Sequence, residues 1–145
     1  MLQTDKLLSK LEAAYRPPKI TSAAKLQLPG EGIAAVRSLD QALASPARWA
    51  LTGESSGLRY AVMADMSVFK VYVTDCQPLL RYENERFYNV LAQQTEDSFP
   101  FFDTQTERGQ IWASPVQCYL ELSKLDKRER EIAATVREAI LKRFK

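Results

Sequence analysis

A chain of 145 residues, 46% hydrophobic and 26% charged, has the length and apolar content of one globular domain able to bury about two-thirds of its unfolded surface. A net charge of +2 is too mild to signal nucleic-acid binding in bulk, so any such contact has to be local. The absence of histidine removes Ser-His-Asp and Cys-His nucleophile systems, and two distant thiols, Cys76 and Cys118, are too few ligands for a zinc site.

Two cysteines without C-x-x-C spacing fit a reduced cytoplasmic protein. No apolar run approaches a membrane span, and Met1 to Lys6 lacks a signal-peptide core. The expectation is a cytoplasmic, membrane-free protein, a single domain over 1–145, with no cofactor, no metal and no catalytic set.

Thr4 stands at a cap position before Leu7, Leu8, Leu11, Ala14 and Tyr15, which follow helical spacing, and Pro17-Pro18 ends the run. That stripe reads first as core-facing, second as a dimerisation or docking surface. Ile20, Ala24, Leu26 and Leu28 fit an extended edge segment, and Pro29 to Gly32 a turn. Residues 1–32 are thus a helix and extended arm ahead of a core over 33–145. Ile33, Val36, Leu39 and Leu43 predict a second helix, stopped at Ser45-Pro46, that covers the first central strand.

The centre of the chain is Arg48 to Val62 followed by Ser67 to Asp75. It predicts a strand at Trp49 and Leu51, a turn punctuated by Gly53 and Gly57, a helix over Leu58 to Val62, and a strand in which Phe69, Val71 and Val73 alternate with Lys70 and Tyr72. The unit is βαβ-like, or at least two strands flanking one helix. Leu79 to Tyr82 and Phe87 to Ala92 predict a hairpin across Glu83 to Arg86. Residues 93–109 read as a loop pinned by Phe99-Pro100-Phe101-Phe102, which anchors on the core or lines a ligand pocket. Gln110 to Ala113 reads as a last short strand.

Ser114-Pro115-Val116-Gln117 and Asp126-Lys127-Arg128-Glu129 both carry capping-box signals. They predict a terminal helix pair, Pro115 to Ser123 and Lys127 to about Arg143, the second docking on the sheet through Ile132, Val136, Ile140 and Phe144. The expected fold is α/β in the α+β sense: a central mixed β-sheet with helices packed on it and a C-terminal helix pair.

The most chemical-looking stretch is Gly53, Glu54, Ser55, Ser56 and Gly57. Backbone amides at the start of a helix can hold a phosphate, although the plainer reading is a tight structural turn. It matches neither the P-loop nor the dinucleotide fingerprint. It is similar to the Gly-Ser turn that opens nucleotidyltransferase folds, but the following strand carries Lys70 and Tyr72 where metal-binding carboxylates belong, leaving Asp75 alone. A degenerate nucleotidyltransferase-like topology that holds a nucleotide at this turn is therefore the enzyme-class alternative. Glu96, Asp97, Asp103 and Glu107 read as solvated loop acids. Charge is concentrated at the end: residues 124–145 hold eight Lys and Arg against four Asp and Glu, a net +4. Lys127, Arg128, Arg130, Lys142 and Arg143 are the candidate phosphate contacts, or simply complement the helix dipole.

Trp49-Ala-Leu-Thr-Gly53, Val71-Tyr-Val-Thr-Asp75 and above all Ala113-Ser-Pro-Val-Gln-Cys-Tyr-Leu-Glu-Leu122, with the charged Asp126 to Glu131 and the helix Ile132 to Ile140 behind it, resemble the C-terminal domain of the AbiEi family. The resemblance spans roughly Ile33 to Lys145. Members are antitoxins and transcriptional autoregulators of type IV toxin-antitoxin systems. It implies a non-enzymatic domain that contacts operator DNA through basic residues and counteracts a nucleotidyltransferase-type toxin without necessarily binding it. Two features depart from the family: a short helix and Pro17-Pro18 stand where a winged helix-turn-helix usually precedes, and Glu54-Ser55-Ser56 replace small apolar residues. A third reading is an interaction domain docking through the N-terminal helix, as a homodimer, or through the Phe99 to Phe102 loop.

Overall fold

The computed structural model describes residues 2–43, 45–61 and 67–143. The expected architecture is present: α- and 3-10 helices around a mixed four-stranded sheet, with a separate two-stranded hairpin and a C-terminal helix pair. The large sheet has the order β1-β4-β3-β2, made of Ile20–Leu26, Val90–Thr95, Phe69–Val73 and Trp49–Leu51. β1 and β2 are its antiparallel edges, and β3 and β4 run parallel at its centre.

The central pair explains one correction. Leu79 to Tyr82 does not form a hairpin with Phe87 to Ala92; Gln77–Tyr82 is a 3-10 helix with Pro78 in its first turn, and β4 begins only at Val90. Proline presets a helical φ and removes a ladder donor, and a parallel neighbour has to be reached by a crossover, not by a tight turn. Leu79 is fully buried beneath that crossover. The unit around Gly53 is likewise not βαβ, because β2 and β3 are antiparallel, with Leu51 opposite Val71 and Trp49 opposite Val73. Its helix is a short 3-10 turn, Ser55–Arg59, and Val62 lies outside the described residues.

The 3-10 helix Gly32–Ser38 and the short α2, Leu39–Ala42, cover one face of the sheet as expected, placing Val36 and Leu39 with Trp49, Leu51, Val71 and Val73. The opposite face is smaller, with Ala50 and Tyr72 against Phe101. Residues 93–109 are less of a loop than predicted, since β4 continues to Thr95 and β5, Gln105–Glu107, pairs with β6, Gln110–Trp112.

A second core lies apart from the sheet. The terminal helices α3, Pro115–Leu122, and α4, Lys127–Arg143, form as predicted. Ile132, Val136 and Ile140 of α4 pack on Cys118, Tyr119 and Leu122 of α3 and on Leu8, not on the sheet. The sheet faces are already covered by residues 32–43 and by Phe101, so the α4 stripe is buried against its sequence neighbour. Phe144 lies outside the described residues.

The N-terminal helix α1, Leu2–Ala14, starts before Thr4, which is therefore inside it and not its cap. Its stripe divides: Leu8 is buried, whereas Leu7 is 55% and Leu11 38% exposed. The side of α1 carrying Asp5, Ser9 and Glu12 is fixed by polar contacts. Arg137 of α4 donates through Nε to Asp5 Oδ1 at 2.9 Å and through Nη2 to Ser9 Oγ at 3.0 Å, and pairs with the Asp5 carboxylate. Tyr119 OH donates to Glu12 Oε2 at 2.6 Å. Cys76 and Cys118 are free buried thiols, as their spacing suggested. No described helix is long and apolar enough to cross a membrane.

Candidate functional site

Ser114 caps α3, its Oγ accepting from Gln117 N at 3.0 Å, with Pro115 in the first turn. Gln117 does not complete the capping box. Its side chain points the other way: Nε2 donates to Glu121 Oε2, one turn on, at 2.8 Å, and to Tyr15 OH at 3.1 Å. This face of α3 lies directly on the turn after β2. A Cβ on Gly53 would sit 2.5 Å from the Gln117 carbonyl oxygen, so glycine is required there by the approach of a helix backbone.

The turn does hold a carboxyl group, and it is one of the protein's own. Glu121 Oε1 accepts from Glu54 N at 3.1 Å, Glu121 Oε2 accepts from Tyr72 OH at 3.0 Å, and the Gly53 amide also faces the carboxylate. Glu121 is intermediate in exposure as a residue, but its carboxylate end is enclosed. Burial there pushes the carboxyl above its ordinary value, and the hydrogen bonds from Gln117, the two amides and Tyr72 pull partly against it. The Tyr72 phenol is raised as well, first by burial and then by the Glu121 charge.

The other amides and the two hydroxyls of the turn are engaged too. Ser55 N donates to Thr52 Oγ1 at 3.1 Å, Ser56 N to Thr52 O at 2.9 Å and Gly57 N to Glu54 O at 3.2 Å. Ser55 Oγ accepts from Lys70 N at 2.9 Å and Ser56 Oγ from Ala113 N at 3.0 Å, while Glu54 pairs with Lys70 Nζ at 3.0 Å. Gly53 to Gly57 therefore form one cluster, but Asp75 is not part of it. The register of β2 on β3 places Asp75 beyond the Trp49–Val73 end, away from the turn beyond Leu51, and its Oδ1 accepts from Gln77 N at 3.0 Å.

The five basic candidates are all exposed on α4, but they are not one patch. Lys127, Arg128 and Arg130 occupy the first turn and Lys142 and Arg143 the last, about 22 Å apart at the helical rise. Only the last pair complements the helix dipole; the first group opposes it.

Comparison with protein-family models, curated proteins and solved structures gave no match. The geometry is therefore the ground for a functional reading.

One feature joins two segments that are far apart in the chain. α1 and the Phe99 to Phe102 segment face each other across a groove of about 500 Å³, walled by Leu11, Tyr15, Phe99, Phe102, Val116 and Leu120. Tyr15 and Phe99 meet edge to face, with centroids 6.4 Å apart. Phe102 is 77% exposed, while Phe101 anchors the segment in the small core. Phe101 thus takes the anchoring role expected of the cluster, while Phe99 and Phe102 line the groove. Sequence reasoning passed over Glu121, Gln117, Tyr72 and Arg137 as site residues. The visible signal was the spacing of Gln117 and Glu121, which puts two polar chains on one face of an otherwise apolar helix.

Proposed function

We propose that this protein is a non-catalytic binding domain of the antitoxin and transcriptional-regulator type implied by the AbiEi resemblance, and that it works as a pair of identical chains joined across the groove between α1 and Phe102. The observation that carries the pairing is the convergence of α1 and the Phe99–Phe102 segment on one exposed apolar face. A twofold interface uses the same patch on both partners, so the patch must contain both halves of each contact. Here a hollow lies beside projecting Phe102 and Leu7. Asp103 is the charged residue of its lining, and Lys6 and Lys10 on α1 are exposed to meet the partner's carboxylate.

Size-exclusion chromatography with light scattering tests this. The expected result is twice the 16.5 kDa chain mass, reduced to one chain by Phe102→Asp with an unchanged circular dichroism spectrum. A single-chain mass for the unaltered protein at high micromolar concentration overturns it.

The regulator reading draws on the exposed cations at both ends of α4, with operator DNA as ligand and a nucleotidyltransferase-type toxin as functional counterpart in the cytoplasm. Binding to the protein's own promoter should weaken steeply with salt and be lost when Lys127, Arg128, Arg130, Lys142 and Arg143 are neutralised. Absence of a gel shift at low salt would remove the DNA part and leave the pairing intact. The nucleotide-binding alternative at Gly53 to Gly57 gains no support, because those amides and hydroxyls have partners within the chain.

A further inference from the structure

The hairpin of β5 and β6 closes through Arg108 and Gly109, both left-handed, with φ of 55° and 82°. That is the conformation pair of a two-residue type I′ loop, for which Asn-Gly is the favoured sequence. Arginine at such a φ is uncommon and locally costly, and a residue held there directs attention to its side chain. Two more guanidinium groups flank the tip. Arg37 lies across Gly109, where a Cβ would be 3.1 Å from Arg37 Cδ. The Gln110 amide, oriented with its oxygen toward Arg37, accepts from Arg37 Nε and Nη2 at 3.2 Å each. On the other flank Arg59 lies 5.6 Å over the Trp112 ring and donates to Gln105 Oε1 at 2.6 Å and Glu107 Oε2 at 3.1 Å. Arg59 and Arg108 border a hollow of about 260 Å³ together with Glu107, Gln110 and Trp112.

We propose that this hollow binds the phosphate group of a ligand, with Arg59 and Arg108 as direct contacts and Arg37 reinforcing the field. A guanidinium presents a rigid fork of donors that matches phosphate oxygens. Arg59 is held by Gln105 Oε1 and the Trp112 indole face, which stay in place when Glu107 leaves, so little side-chain freedom remains to be lost on binding. The Glu107 carboxylate occupies one edge of that fork as an internal stand-in. It is 57% exposed, and an exposed ion pair of this kind contributes little, so it can swing into water when a phosphate arrives. The site shares no residue with the groove and stands independently of pairing.

The source of the phosphate, a small polyphosphate or a nucleic-acid backbone, is separated by the choice of probe. Nitrogen-15 correlation spectra are recorded with pyrophosphate and, separately, with a short DNA duplex at low salt. The variants are Arg108→Asn, which keeps the left-handed turn favourable, and Glu107→Gln, which removes the competing charge. The amides of residues 107–110 and the Arg59 Nε–H signal should move with at least one probe. Affinity should fall about tenfold in Arg108→Asn, the equivalent of one charge-assisted hydrogen bond, and rise in Glu107→Gln. A response to pyrophosphate assigns a general phosphate site, and a response to duplex alone assigns a backbone reader. If neither probe moves these signals, or both variants bind like the unaltered protein, the proposal is wrong.

Discussion

Gly53 and Gln117, from segments 64 positions apart in number, are in backbone contact: a Cβ on Gly53 would approach the Gln117 carbonyl oxygen to 2.5 Å. This contact brings α3 onto the end of β2 and allows Glu121 to bind the turn amides. Gly53→Ala has to push the helix away from the turn. The expected cost is about 3 kcal/mol, at the upper end for overpacking because backbone, not a flexible side chain, is struck. Urea unfolding measures it, and a loss below about 0.5 kcal/mol, the scale of a neutral surface change, would show that the approach is not tight.

Ser55 and Ser56 are hydrogen-bonded within the chain, Ser55 Oγ accepting from Lys70 N and Ser56 Oγ from Ala113 N. Ser56 is fully buried and its Oγ is the partner of Ala113 N. Ser56→Ala leaves that amide unpaired away from water, costing about 2 kcal/mol. The same variant should leave any phosphate affinity of the protein unchanged, measured by titration with pyrophosphate.

Glu121 makes stability depend on pH in a defined direction. Its carboxyl is raised in the folded state from an ordinary value of 4.5, chiefly by burial, so the folded chain binds its proton more readily than the unfolded chain. The stabilisation linked to that proton is complete below the unfolded pKa and is lost as pH rises through the folded one. Glu121→Gln removes this component. Urea midpoints measured from pH 4 upward should show the unaltered protein losing stability relative to the variant as pH increases. Parallel profiles would contradict the assigned shift.

Arg137 should decide whether α1 stays docked. It connects α4 to Asp5 and Ser9 and also donates to Tyr119 OH at 2.6 Å. Arg137→Met keeps the stem and removes the donors. Hydrogen exchange over residues 3–14 should accelerate about tenfold, equivalent to about 1.4 kcal/mol of local opening, while β3 and β4 keep their protection. Unchanged exchange in α1 would assign its docking to Leu8 and the Glu12–Tyr119 hydrogen bond.

Local chemistry determined much of this molecule. Ser114-Pro115 starts α3 because a hydroxyl and a proline suit the free amides of a first turn. The alternation of Phe69, Val71 and Val73 makes β3, and the apolar period of residues 33–43 makes the cover of the sheet. These are short-range preferences, readable from neighbours in the chain. Five features were decided only by tertiary packing. Pro78 and the need for a crossover turned an expected hairpin into a 3-10 helix before a parallel strand. Prior cover of the sheet sent the α4 stripe to α3. Antiparallel pairing of β2 and β3 separated Asp75 from the glycine turn. Long-range folding also delivered Glu121 to that turn's amides, and α1 to the Phe99–Phe102 segment. A sequence states which groups want partners; which distant partner each one meets follows from burying two cores at once.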